Sequence, residues 1–376
     1  TINGNLSQVM DGGHAITITN SVVTMNQLYS SSNDLSSLGM AFTLGEGADV
    51  TATGGVWSQT WRGSGGMFLN GGTLRTSYLA ANSSTQSWLN DRAYIHFNGT
   101  RIVATANQAN FIQLAGGANY GNENFAQLNA TTTFDTAGYN IGIGVELRGS
   151  GGLTKDATGT LTLANTNTYT GATTVNGGSL NVTGSIGDSV VTVNNAATVL
   201  SSGSSGTIGK GVTMNNGTIL AAGGSNTVGS ASVGTSGLNF GSGSIFEWDI
   251  NTGSNSSDTV SVSGALEVAS GAIFKVVSTT AFSDAFWNTS QSWNVFTGMD
   301  FSNFTLNFVA NGNTLNAGDF AAEGYFTING TTKTLDWTAV PEPGSALAGL
   351  LLGAGLLRRR RAQPGQGNGH IRSSMA

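Results

Sequence analysis

Residues 151–184 read GGLTKDATGTLTLANTNTYTGATTVNGGSLNVTG. Leu161 and Leu163 alternate with Thr160 and Thr162, and Leu180 and Val182 alternate with Ser179 and Asn181. Side chains point to opposite faces along a strand, so each of these segments has one apolar and one polar face. Asn165 to Gly171 and Asn176-Gly177-Gly178 lie between them. Glycine takes positive φ freely and asparagine tolerates it, so the chain reverses there. One such unit cannot bury its own apolar face and needs similar units above and below it, which is the logic of a solenoid. Leu161, Leu163, Val175, Leu180 and Val182 are therefore expected in one continuous core. They should stack on Val191, Val193, Val199, Ile219 and Leu220.

The same turn-plus-strand signal recurs through residues 1–277, for example at Gly71-Gly72-Thr73-Leu74, Asn98-Gly99-Thr100-Arg101-Ile102, Asn216-Gly217-Thr218-Ile219 and Ser270-Gly271-Ala272-Ile273. Its spacing of roughly 20 to 30 residues suits one coil of a solenoid. Parallel strands need a crossover of a dozen or more residues. Here the crossovers carry strand and turn signals, with no helical i, i+3, i+4 apolar pattern. The expected fold is all-β: a right-handed parallel β-helix of ten or more coils. The segments GGLTK, GTLTL, NTYTGATTVNGGSL and NVTG closely resemble the autotransporter-associated β-strand repeat. One departure is Asp156-Ala157-Thr158, where that family has a tighter glycine turn.

Charged residues make up 9% of the 376, and Gly supplies 56. Ordinary soluble chains carry about 25% charged residues, so this surface is built from hydroxyls and amides. The net charge is −6. Five of the 14 basic residues and one of the 20 acidic ones lie beyond residue 340, leaving −10 on the body. Nucleic acid needs a basic face, so it is excluded as a partner. With no cysteine, stability must come from packing and hydrogen bonds. All three prolines lie beyond residue 340, so the ladders run without proline interruption. Thr1-Ile2-Asn3-Gly4 reads as mid-repeat sequence, and a fragment of a longer protein is expected.

Four segments follow. Residues 1–278 form the solenoid, with 78–96 and 105–127 read as protruding loops. Residues 279–340 crowd aromatics such as Phe282, Trp287, Trp293, Phe308, Phe326 and Trp337 into alternating patterns. They are read as an antiparallel β cap closing the rod, in preference to an aromatic glycan platform. Residues 341–361 begin with Pro341-Glu342-Pro343 and continue through a short apolar helix to Arg358, Arg359, Arg360 and Arg361. This order closely resembles the PEP-CTERM sorting signal. As a helix, residues 344–357 span about 21 Å, short of the roughly 30 Å hydrocarbon core, and snorkelling arginines cover part of the difference. Arginines mark the cytoplasmic side, which puts the body outside. The resemblance implies processing by an exosortase near the motif and a transient inner-membrane anchor. Residues 362–376 are polar and expected to be disordered.

Catalytic chemistry has thin support in the sequence. No G-x-S-x-G, H-E-x-x-H or P-loop occurs. His14 and His96 stand alone before the tail, and Arg62, Arg75, Arg92 and Arg101 recur near coil spacing without matched acids. Glu247, Asp249, Asn251 and Asp258 are the best candidate metal cluster, because oxygen ligands of this kind suit Ca²⁺. The EF-hand spacing fails after Asn251, and Glu247-Trp248-Asp249-Ile250 alternates, so both acids are expected on a solvated strand face and tolerant of replacement. No metal or other cofactor is expected. The reading is an exported, surface-sorted structural or adhesive β-solenoid of the cell envelope or extracellular matrix, with extracellular polysaccharide as a further partner and no enzymatic activity. The alternative is a carbohydrate-active β-helix enzyme, which requires several acids and a basic residue converging on one groove.

Overall fold

The computed structural model describes residues 5–10, 16–32, 40–60, 65–82, 93–116, 124–196 and 198–341. Strands follow one another around three faces, and each strand pairs in parallel with the strand one coil later. One face is a single 11-stranded sheet from Val22–Met25 to Leu266–Val268. The second face holds a five-stranded sheet from Asn5–Met10 to Ile112–Ala115, succeeded by a ten-stranded sheet that starts at Ile141–Ile143. The third passes from a six-stranded sheet, Ile16–Ile18 to Leu147–Arg148, to a five-stranded one, Thr166–Asn167 to Thr259–Val262. The molecule is a parallel β-helix. Eleven strands stacked at about 4.8 Å give roughly 48 Å of rod.

Coil length varies while register holds. Arg101 pairs with Thr133 across a long coil, and Thr173 pairs with Val191 only 18 residues on. Inward columns are continuous. On the ten-stranded sheet Ile141, Leu161, Leu180, Leu200, Leu220, Phe246 and Phe274 stack in register and are buried. Leu163, Val175, Val182, Val191 and Val193 are buried as expected. Val199 and Ile219 are a correction. They pair with Ser179 and Ile245 on the outer side and are half-buried. Leu180 pairs with Leu200, and that register fixes the face of the whole strand.

The inward column of the long sheet runs Leu74, Ile102, Phe134, Lys155, Val175, Val193, Met214 and Phe240. Lys155 is fully buried, and its Nζ donates to the carbonyls of Asp156, Ala157 and Gly177 at 2.8, 2.7 and 3.0 Å. Burial pulls its pKa down to about 8, against the opposing charges of Asp135 and Asp156. The ammonium thus ties the Asp156-Ala157-Thr158 turn, where Ala157 sits at φ 60°.

Residues read as loops partly continue the coils. Leu79–Asn82, Ala93–Asn98 and Ile112–Ala115 are ladder strands. Residues 83–92 and 117–123 lie outside the described residues.

At the far end Thr305–Ala310 adds one more parallel strand, then turns back antiparallel into Asn313–Leu315. Gln291–Trp293, Thr334–Ala339 and Gly324–Asn329 form a three-stranded antiparallel sheet. Trp287 and Trp337 are buried with Phe282, Phe320 and Phe326, so these aromatics are core and do not form an open platform. Phe304 and Phe296 close over Phe240 and Phe246. Among the described residues there is no α-helix, only the 3-10 turns Ala285–Asn288 and Ala317–Phe320. None is long and apolar enough to cross a membrane. The expected short C-terminal hydrophobic helix, Glu342, Pro343 and Arg358 to Arg361 fall outside the described residues, while Pro341 is exposed.

Candidate functional site

The strand Ile245–Asn251 sends Phe246, Trp248 and Ile250 into the core, which leaves Glu247 and Asp249 on the outer side. The alternation is as the sequence requires, but the solvation is not. The turn at residues 224–229, from the coil before, folds across these carboxyls. Asn226 N–H donates to Glu247 Oε1 at 3.3 Å and Thr227 N–H to Asp249 Oδ2 at 3.2 Å. Gly229 N–H donates to Asp258 Oδ1 at 2.7 Å. Glu247 and Asp249 are each 3% exposed and Asp258 is fully buried, so the expected solvated face is a roofed one. Replacing these buried acids removes the acceptors of the amides that fold over them and is not the neutral change expected of a solvated strand.

Lys275, one coil on, donates to Glu247 Oε2 at 2.7 Å. Asp258 Oδ2 accepts Asp249 N–H at 3.1 Å, and its carbonyl accepts Trp248 Nε1–H at 3.0 Å. Asn251 stays exposed, and its Oδ1 caps its own turn by accepting Gly253 and Ser254 N–H. The structure therefore joins Glu247, Asp249 and Asp258 and leaves Asn251 out. Among the described residues no group of three His, Cys, Asp or Glu is placed to hold a metal ion. Asp249 also lines an open cleft of about 480 Å³ with Asn226, Thr227, Asn251, Thr279 and Asn311.

Burial is the first cause raising Asp249 to about 7, helped by the Glu247 charge and opposed by the Thr227 N–H and by Lys275. Burial likewise raises Asp258 to about 8, against the N–H bonds from Gly229 and Asp249. An unfolded chain releases both protons near 3.8, so between about 4 and 8 the folded chain binds more protons. Stability from these two groups is complete below pH 4 and is lost as pH rises through 7 and 8. Urea midpoints should therefore be lower at pH 8 than at pH 5. Equal midpoints would mean both carboxyls ionise normally. Lys155 acts in the opposite sense only above pH 8.

The remaining candidates are structural. Arg75 pairs with Asp49, and Arg101 reaches Asp135 at 2.5 Å and Asp156 at 2.9 Å. These arginines do have matched acids, one or two coils away. His96 stacks on Phe68 at 4.9 Å, with Nδ1 3.2 Å from Asn129 Nδ2. Burial and the Arg148 charge lower its pKa. His14, Arg62 and Arg92 fall outside the described residues.

The outer face of the long sheet carries a column the repeat logic implied without locating: Thr133, Thr154, Thr174, Thr192 and Thr213 in register. Beside it Asn176, Asn194 and Asn215 form an amide ladder, each Nδ2 donating to the previous Oδ1 at 3.0 and 2.7 Å. Asn176 Nδ2 ends the ladder on Asp156 Oδ1 at 3.0 Å.

Continuous three-faced parallel sheets with these polar ladders define the class as parallel β-solenoids. Within it, residues 153–182 match the family model of the passenger-associated-transport repeat. The match includes Lys155, Thr154, Thr174 and Asn176, the first asparagine of the amide ladder. No curated protein matches the chain, and no solved structure matches it. The repeat and the fold together fit a surface β-solenoid.

Proposed function

We propose that this chain is an exported structural or adhesive rod of the cell envelope or extracellular matrix. In this reading it is sorted through its tail by an exosortase and held transiently in the inner membrane by residues 344–357. The observation that carries the reading is the outer face itself, an in-register Thr column beside an Asn ladder that runs through and beyond the segment matching a passenger-associated repeat. Such a face is built mainly of hydroxyls and amides, with its charges paired between coils, as suits a spacer exposed to solvent and glycans. Pro341-Glu342-Pro343 and the four arginines supply the sorting step.

The carbohydrate-active enzyme alternative has one observation in its favour, the convergence of Glu247, Asp249, Asp258 and Lys275. Hydrolysis by paired carboxyls needs two of them facing one substrate. Glu247 is held by Lys275, and both Asp258 oxygens accept backbone N–H bonds in the interior. One carboxyl, Asp249, is left beside the cleft, and the scaffold role without catalysis is the better reading.

The test compares surface location of the full-length protein with a variant lacking residues 341–361. The intact chain should reach the surface with a mass that excludes Arg358 to Arg361. Retention of those arginines on the surface form overturns the sorting step.

A further inference from the structure

We propose that the cleft beside Asp249 is a binding site for a neutral carbohydrate unit, whose hydroxyls meet the Asp249 carboxyl and the amides of Asn226, Asn251 and Asn311. The proposal rests on the reading of the rod as a surface protein that meets extracellular glycans.

The cleft holds about 480 Å³, within the range of small-molecule sites. Asp249 forms part of its wall and is 97% buried, since its exposure is 3%. Its Oδ2 accepts Thr227 N–H, yet Oδ1 has no hydrogen-bond partner. A buried acceptor without a donor is rare in native structures and calls for an explanation at that place. A ligand hydroxyl entering from the cleft, with a small shift of the turn at 226–228, supplies one.

The other lining groups set the ligand class. Asn226 and Asn311 each bring a carboxamide, which offers donors and an acceptor together, Asn251 brings its NH₂ while its Oδ1 holds the turn at 253–254, and Thr279 adds a hydroxyl. Adjacent sugar hydroxyls, each donor and acceptor, complement such groups. The cleft offers a cation much less. Glu247 is already paired with Lys275, and both Asp258 oxygens are occupied by Gly229 and Asp249 N–H groups. A cation would find one carboxyl oxygen and no second. Asn226 and Asn311 sit at φ 60° and 48°, on tight turns either side of the opening. The lining comes from the ends of three successive paired strands, Ile245–Asn251, Ile273–Ser278 and Thr305–Ala310, and from the turn before them, so the cleft runs across the stacked coils.

The experiment is a titration of the full chain by calorimetry and saturation-transfer NMR with cellotetraose, mannotetraose and chitotetraose, and with calcium chloride and spermidine as charged probes. At least one tetrasaccharide should bind. The double variant Thr279→Val, Asn311→Gly changes two exposed positions, keeps the left-handed turn accessible, and should weaken that binding at least tenfold with an unchanged near-ultraviolet spectrum. Asp249→Asn should weaken it similarly, because Thr227 N–H will hold the amide oxygen and leave an NH₂ where the acceptor stood. The proposal is overturned if no tetrasaccharide binds, if binding survives the double variant, or if only calcium or spermidine binds. Surface display of the double variant should be normal, so a failure here leaves the sorted-rod reading standing.

Discussion

Leu180→Ala should cost roughly 2 to 5 kcal/mol of unfolding free energy, as for other fully buried leucines. Leu180 is fully buried, with Leu161 stacked below it and Leu200 above. Those neighbours belong to strands held in ladder register, so they cannot close on the space left behind, and the cavity contribution stays large. Ser179, one residue away on the outer side, pairs with Thr160 and Val199, and Ser179→Ala should change little. Urea melts of the two variants decide the matter, since comparable losses would mean that the inner and outer faces are exchanged.

Trp337→Ala should cost about 3 to 5 kcal/mol and should loosen the C-terminal end before the coils. The indole is 1% exposed and lies 4.8 Å from Phe326, 5.2 Å from Trp287 and 5.7 Å from Phe282. Its Nε1–H donates to Trp287 O at 2.7 Å, so truncation also leaves a buried carbonyl without that donor. Near-ultraviolet circular dichroism should be lost at lower denaturant than the far-ultraviolet β signal. Opening the cap exposes strand edges, so concentration-dependent association should accompany the loss. Tyr325→Ser, at a 52% exposed neighbour, should do neither. Coincident transitions in the tryptophan variant would show that the cap does not unfold as a separate end.

Local alternation made the solenoid legible. Leu161-Thr162-Leu163 and Leu180-Asn181-Val182 give their faces directly, and the Gly and Asn turns mark the corners. Val199 and Ile219 escaped because Val199-Leu200 and Ile219-Leu220 are apolar at both positions. Only the pairing of Leu180 with Leu200 separates them, and that is a relation between coils. The acids failed for a related reason. Glu247 and Asp249 do alternate outward, but the roof over them comes from residues 224–229 of the preceding coil. Arg101 likewise found its partners 34 and 55 residues away. Sequence patterns show which side of a strand a residue takes, while burial and pairing on that side depend on what crosses it. Lys155 is the sharpest case: Leu153-Thr154-Lys155 puts the lysine on the inward face, but nothing in GGLTKD shows how its charge is met there until its ammonium is seen bridging three carbonyls of two coils.

The register of the long sheet makes length separable from everything else in this molecule. Thr154 pairs with Thr174, and Thr174 with Thr192. Excising or duplicating the interval between two such positions returns the chain to the same columns, with the threonine file, the amide ladder and the inward leucines still aligned. Each interval moves one end relative to the other by about 4.8 Å, while the aromatic end-plate and the cleft beside it are left as they were. The length of such a rod can thus be cut or extended like a ruler, one graduation at a time, without redesigning its aromatic end.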